Sequence, residues 1–163
     1  MESTAGDLPI VLVDDDPQFL LSSGVTLRTA GVSPVVTIED SRQVMPYLEG
    51  REAGAVVIDL TMPHLSGAEL LDRLKERFPG LPVIVMTGRD ELEMAVECMK
   101  AGAFDYLVKP VERERFVSSI RRAREVRSLR DEVDSLKAHF LSGRVQNESA
   151  FAGIVTRSRK MLA

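Results

Sequence analysis

Short apolar runs alternate with segments of helical period from Pro9 to about Arg127. This is the pattern of a parallel sheet covered by helices on both faces. The runs are Ile10 to Val13, Val35 to Ile38, Ala55 to Ile58, Val83 to Met86 and Phe104 to Val108. Each is continuous rather than alternating, as strands buried on both sides are. A helix signal follows each run. Asp16-Pro17 offers an N-cap and a proline in the first turn, and Leu20, Gly24 and Leu27 then repeat at helical spacing up to Gly31. Ser41, Ser66 and Asp90 are the expected caps of the next three helices, whose apolar faces include Val44 and Leu48, Leu70 and Leu74, and Ala95 and Met99. Gly50, Gly80 and Gly102 mark their ends, and no internal repeat or low-complexity tract divides the chain.

The last helix has two stripes. Phe116, Ile120 and Ala123 form a face that can pack on the sheet, whereas Val126, Leu129, Val133, Leu136 and Phe140 step along a different face. The second stripe predicts a linker helix that pairs with another copy of the chain. A helix folding back on its own domain, or on a later part of the chain, is the alternative. Gly143 is the expected end of this helix. The predicted organisation is a flexible N-terminus over residues 1–7, a domain over 8–127, a helical linker over 128–143 and the start of a further domain over 144–163.

Composition narrows the class. With 163 residues, the chain holds one domain with a real core and an extension, and is too short for two full enzymatic domains. Apolar residues make up 44% and charged residues 28%, the balance of a folded domain. A net charge of -4 argues against a dedicated nucleic-acid surface in this piece, because neutralising phosphates takes a basic excess. A single cysteine, Cys98, excludes an internal disulfide and a cysteine-rich zinc site and points to a cytoplasmic setting. MESTAGDLPI lacks the features of a secretory signal. No apolar run approaches the roughly 20 residues that span a bilayer, so no membrane association is expected.

In an open parallel sheet, ligands bind beyond the carboxyl ends of the strands, where the strand order reverses. Four of the runs end there in polar residues: Asp14, Asp15 and Asp16, then Asp59, then Thr87-Gly88, then Lys109-Pro110. With the first and third strands adjacent, Asp14, Asp15 and Asp59 converge, and such carboxylates repel one another unless a cation is bound. Mg2+ meets that need, since it takes hard oxygen ligands and is commonly shared between carboxylates and a phosphoryl group. Asp59 is then the natural nucleophile, able to form an aspartyl phosphate. Lys109 supplies positive charge and Thr87 a hydroxyl donor to the phosphoryl oxygens. No general base is poised to activate water, so a persistent acyl phosphate is expected rather than turnover. Taken singly, these residues have plain readings as strand ends, a helix cap, a turn and a solvated loop lysine; their coincidence at four strand ends favours the phosphoryl-accepting site. A haloacid-dehalogenase-type hydrolase would need a second acid where Thr61 stands, and a dinucleotide-binding oxidoreductase would need a G-x-G-x-x-G after the first strand.

Val11-Leu12-Val13-Asp14-Asp15, Asp59-Leu60-Thr61-Met62-Pro63 with Gly67, Thr87-Gly88 and Tyr106-Leu107-Val108-Lys109-Pro110 together resemble the receiver domain of two-component response regulators, from about Leu8 to Arg127. The resemblance implies a flavodoxin-like (βα)5 doubly wound sheet of strand order 2-1-3-4-5, a sensor histidine kinase as phosphodonor, and a phosphoacceptor module rather than an enzyme with turnover. It implies Mg2+ held by Asp15, Asp59 and the backbone carbonyl of Thr61, with Asp14 acting mostly through water, and a cis Lys109-Pro110 bond. It also implies a switch in which the Thr87 hydroxyl moves toward the phosphoryl group and Tyr106 turns inward, altering the face made by the fourth helix, fifth strand and fifth helix. For Tyr106, spacing alone is met equally by a core tyrosine.

Further along, Phe151-Ala152-Gly153-Ile154-Val155-Thr156-Arg157-Ser158 with Met161 resembles the opening of the AAA+ ATPase domain of sigma-54-dependent, NtrC-like activators. The G-x-x-x-x-G-K-[ST] loop is absent, so no ATPase activity belongs to this piece. That resemblance implies a full protein that contacts ATP, DNA and sigma-54 RNA polymerase, with phosphorylation shifting a homodimer or higher association state. A receiver with a different output, or one acting through protein contacts alone, is the alternative. His64, His139, Met94 and Cys98 receive no functional role.

Overall fold

The computed structural model describes residues 8–148, with side chains described for 8–142. Strands β1 (Ile10–Val13), β2 (Val35–Ile38), β3 (Ala55–Asp59), β4 (Val83–Thr87) and β5 (Asp105–Val108) alternate with helices α1 (Pro17–Thr29), α2 (Val44–Leu48), α3 (Gly67–Arg77), α4 (Leu92–Lys100) and α5 (Arg113–Glu148). Short 3-10 turns at Ser41–Gln43 and Arg89–Glu91 lead into α2 and α4. The strands form one sheet of order β2-β1-β3-β4-β5, every neighbouring pair parallel. This is the flavodoxin-like order expected from the sequence.

Burial accounts for the continuous apolar runs. β1 and β4 are buried along their whole length, and β3 everywhere except Asp59, because helices cover both faces. The edge strands β2 and β5 are only partly buried. Leu20 and Leu27 of α1 join Phe116, Val117, Ile120 and Ala123 of α5 in the core on one face. Val44 and Leu48 of α2, Leu70, Leu71 and Leu74 of α3 and Cys98 of α4 form the core on the other. Each fully buried leucine contributes about 1.5–3 kcal/mol relative to exposure. The doubly wound sheet follows from having two apolar faces to cover.

Local signals explain most boundaries and correct others. Asp16 caps α1 by accepting from the Gln18 N–H, and Ser66 caps α3 by accepting from the Glu69 N–H. Asp40, not Ser41, caps the turn before α2; the Ser41 hydroxyl donates instead to the Pro63 carbonyl. Asp90 lies within the turn before α4 rather than capping it, and Gly88 precedes that turn. The buried face of α4 is Ala95 and Cys98, one residue short of the expected Met99, which is 38% exposed. β5 begins at Asp105, not Phe104. Gly31 and Gly102 end α1 and α4 with φ of 83° and 106°, the left-handed conformation that glycine adopts without a side-chain clash. Lys109-Pro110 is cis as expected, and Ser33-Pro34 is cis as well.

The chain divides into two compact units between Leu129 and Arg130. In the first, α5 packs on the sheet through the buried face beginning at Phe116. In the second, the backbone stays helical through Gly143 to Glu148, so the expected stop at Gly143 does not occur. One glycine costs a helix interior only about 1 kcal/mol. Leu129, Val133, Leu136 and Phe140 are 48–63% exposed. The ATPase-like opening after Glu148 and the expected N-terminal segment 1–7 lie outside the described residues. Among the described residues, no helix is long and apolar enough to cross a membrane.

Candidate functional site

β1 and β3 lie side by side at the point where the strand order reverses, so the loops leaving their carboxyl ends open onto one crevice. Asp14 follows the last residue of β1 and Asp59 is the last residue of β3. Oxygens of Asp14, Asp15 and Asp59 lie within 4.8 Å of one another, a spacing able to hold a cation. Asp14 is buried, Asp59 half-buried and Asp15 exposed. A hard, all-oxygen set that keeps one solvent-facing side suits Mg2+, which retains water.

Lys109 follows β5 and closes this cluster from the opposite side. Its Nζ donates to Asp14 Oδ2 at 2.6 Å and to Asp59 Oδ2 at 3.2 Å. The second oxygen of Asp14 accepts from the Asp16 N–H at 2.9 Å, and that of Asp59 accepts from the Thr61 N–H at 3.1 Å. Burial raises the pKa of Asp59, with the Asp14 charge adding to the rise and the Thr61 hydrogen bond and Lys109 opposing it. For Lys109 burial favours the neutral amine, but its hydrogen bonds and the charges of Asp14 and Asp59 outweigh that and raise its pKa. The lysine is therefore held charged by the carboxylates it neutralises. A hydrogen bond from the Lys109 N–H to the Thr87 carbonyl, 2.7 Å, ties the ends of β5 and β4 together.

Thr87, the last residue of β4, is fully buried, and its hydroxyl has no hydrogen-bond partner among the described residues. Thr61 lies exposed in the loop after β3, and Tyr106 on β5 is half-buried against the core. Gly67, the first residue of α3, backs the site closely: a Cβ there would sit 2.5 Å from the Asp59 carbonyl oxygen and 2.6 Å from the Leu60 Cα.

The geometry thus brings Asp14, Asp15, Asp59 and Lys109 into direct association, with Thr87 at the neighbouring strand end and Thr61 tethered to Asp59. Tyr106, the second residue of β5, lies on the edge strand that delivers Lys109; its N–H donates to Asp105 Oδ1 and its carbonyl accepts from Arg115. Two participants escaped sequence reading. The Phe19 ring lies 4.3 Å from Lys109 Nζ, a cation–π distance, yet an aromatic residue on an amphipathic helix reads as core. Glu91 accepts from the Gly88 N–H at 3.2 Å and from the Thr61 hydroxyl. Its spacing from Gly88 is that of a helix-start acceptor, but nothing local announces a partner thirty positions away. His64 sits in the β3–α3 loop with φ 69° and His139 lies on α5. Cys98 is a buried packing residue whose thiol pKa is raised by burial, the opposite of a reactive thiolate.

Residues 10–121 match the model of the response regulator receiver domain. The C4-dicarboxylate transport transcriptional regulatory protein DctD of Pseudomonas aeruginosa is 39% identical over 146 residues, covering 86% of this chain and 31% of DctD. The transcriptional regulatory protein FixJ of Bradyrhizobium diazoefficiens is 39% identical over 114 residues, covering 70% of this chain and 55% of FixJ. Among solved structures, a response regulator receiver domain protein from Clostridium thermocellum superposes with a TM-score of 0.71 at 31% identity, over 75% of this chain and 98% of that one. The chain therefore spans about a third to a half of the length of these two curated relatives.

Proposed function

Because the chain belongs to the response regulator receiver domain family, we propose that Asp59 accepts a phosphoryl group from a sensor histidine kinase and that the resulting change controls an effector. The observation that carries this reading is the Lys109 ammonium bridging Asp14 and Asp59 at 2.6 and 3.2 Å, inside a cluster of three carboxylates. A structural ion pair needs one carboxylate. A site that forms an acyl phosphate needs a nucleophile, a cation site and a fixed positive charge together.

In the transfer, an Asp59 carboxylate oxygen forms the new bond to phosphorus as the bond between phosphorus and the donor's imidazole nitrogen breaks, the electron pair leaving with the imidazole. Asp14, Asp15, Asp59 and the backbone carbonyl of Thr61 would hold Mg2+, which when bound supplies charge neutralisation for the phosphoryl oxygens. Lys109 remains within reach of those oxygens, since it already donates to Asp59. The Thr87 hydroxyl lacks a partner and is free to donate once an acceptor is placed at the next strand end. Tyr106, packed at the sheet edge, turns inward as Thr87 shifts and passes the change to the surface of α4, β5 and α5.

The output proposed is transcriptional, through a sigma-54-dependent effector lying beyond the receiver. The likeness to DctD, by name a transcriptional regulatory protein, supports it. The receiver occupies residues 8–127, followed by a helical linker and by the start of the effector within 144–163. The exposed Leu129, Val133, Leu136 and Phe140 recur every three or four residues along α5. Such a stripe favours pairing with the same helix of a second chain, and a homodimer is the assembly proposed.

Sedimentation velocity of this chain with Mg2+, with and without beryllofluoride as a phosphoryl mimic, tests both parts. A change in association state that Asp59→Asn abolishes supports the acceptor site and the linker as its readout. A monomer under all conditions removes the dimerising linker, and a response that persists in Asp59→Asn removes Asp59 as the acceptor.

A further inference from the structure

We propose that Glu91 is a latch that holds the β4–α4 loop against the β3–α3 loop while Asp59 is unmodified, and that phosphorylation acts by opening it. The inference rests on the acceptor role given to Asp59 above. Its basis is an unbroken run of hydrogen bonds: the Thr61 N–H donates to Asp59 Oδ1, the Thr61 hydroxyl to Glu91 Oε2, and the Gly88 N–H to Glu91 Oε1. The run starts on the acceptor carboxylate and ends on the residue next to Thr87.

A local cap would use only one of the two Glu91 oxygens. Glutamate three residues into a helical turn accepts from the backbone N–H at the turn's start, as Glu91 does from Gly88. The other oxygen crosses to a loop thirty positions earlier in the chain, which capping does not require. The fit at Gly88 is close as well, since a Cβ there would lie 3.0 Å from Glu91 Oε1.

Two forces on this run change sign when a phosphoryl group arrives. The buried Thr87 hydroxyl has no partner, an unfavourable state that phosphoryl oxygens at the adjacent strand end would relieve. Reaching them draws Thr87 and the attached Gly88 toward the acceptor, away from where Glu91 holds Gly88. The same group adds negative charge beside the Glu91 carboxylate, which is tethered to Asp59 through Thr61 alone. One event pulls Thr87 and repels Glu91. Because α4 begins at Leu92, release of Glu91 acts directly on the first turn of α4, where Leu92 and Met94 are 47% and 40% exposed.

The test is an NMR titration of the chain with beryllofluoride at saturating Mg2+, following the Gly88 amide, in the wild type, Glu91→Ala, Thr61→Val and the double variant. Thr61→Val keeps the backbone carbonyl and leaves the Gly88–Glu91 cap intact, removing only the bond between the loops. Each single variant is expected to bind beryllofluoride about three- to tenfold more tightly, because the competing resting state is lost. The double variant should gain no more than Glu91→Ala alone, since that change already removes the bond between the loops. The Gly88 amide of the unliganded variants should already lie displaced toward the wild-type bound position, a shift that loss of a cap alone would not give to Thr61→Val. Unchanged or weaker binding in either single variant, or fully additive gains, overturns the latch. If the wild type itself shows no binding that Asp59→Asn abolishes, the acceptor reading fails and the latch with it; if the wild type binds and the variants do not tighten, the latch alone fails.

Discussion

Lys109→Met keeps the aliphatic stem and removes the ammonium from between two acidic groups. The Asp14 and Asp59 side chains are 2% and 13% exposed, and Lys109 is 28% exposed. At 2.6 and 3.2 Å, gross attractions at an effective dielectric of 20 reach about 6 and 5 kcal/mol, most of which offsets the desolvation of the three groups. Breaking a buried pair by removing one partner typically costs about 3–5 kcal/mol, because a buried charge is left uncompensated. The partial exposure of Lys109 places it at the lower end, about 3 kcal/mol on that scale. Urea unfolding followed by circular dichroism in the presence of a chelator should show that loss as a midpoint lower by about 1–2 M with an unchanged slope. In excess Mg2+ the loss should fall to about 1 kcal/mol, since a bound cation becomes the largest local charge and compensates the same carboxylates. An equal loss with and without Mg2+, or a variant more stable than the wild type, would refute this account of what the lysine does.

Asp59→Asn should stabilise the chelated chain at neutral pH, because burial raises the pKa of Asp59 and so disfavours its ionised form in the folded state. A raised folded-state pKa means that the folded chain holds this proton more tightly than the unfolded chain. The contribution of Asp59 to stability is thus full at acid pH and is lost as pH rises from the unfolded value of about 3.9 through the raised one. The advantage of the variant should therefore shrink on acidification in a pH series of urea titrations; an advantage that grows toward acid contradicts the burial argument. Gly67→Ala places a methyl group against the backbone of Asp59 and Leu60 at 2.5–2.6 Å, neither of which can swing aside as a side chain would. A loss of about 3 kcal/mol in urea unfolding is expected, with weaker beryllofluoride binding as Asp59 is displaced, and a variant of wild-type stability and affinity would show that α3 yields freely.

Most of the fold was legible because its signals are local. Ile10 to Val13 and Val83 to Met86 are uninterrupted apolar runs, as strands covered on both faces carry, and Asp16 and Ser66 start helices by contacts within three residues. The acidic strand ends and Lys109 were also readable, since parallel strands deliver their carboxyl ends to one side of the sheet whatever their separation in sequence. Where neighbouring candidates compete, sequence fails: Asp40 and Ser41 are both good caps, and only the loop carrying Pro63 takes the Ser41 hydroxyl away. On α4 a one-residue rotation exchanges Met99 for Cys98 in the core, a difference set by the packing of α3 and β4. A single glycine could not stop α5, because the helical turns on either side of Gly143 outweigh its entropic cost.

The chain's pattern of apolar runs, caps and acidic strand ends determined the doubly wound sheet and the identity of the residues at its crevice, because those properties depend on spacing along the backbone. The pairing of Lys109 with both Asp14 and Asp59, the cation–π contact with Phe19, the orphaned Thr87 hydroxyl and the Thr61–Glu91 bridge were decided only in three dimensions. Each depends on which side chains from separate loops meet within about 3–4 Å, a matter of sheet twist, loop path and rotamer that no periodicity encodes.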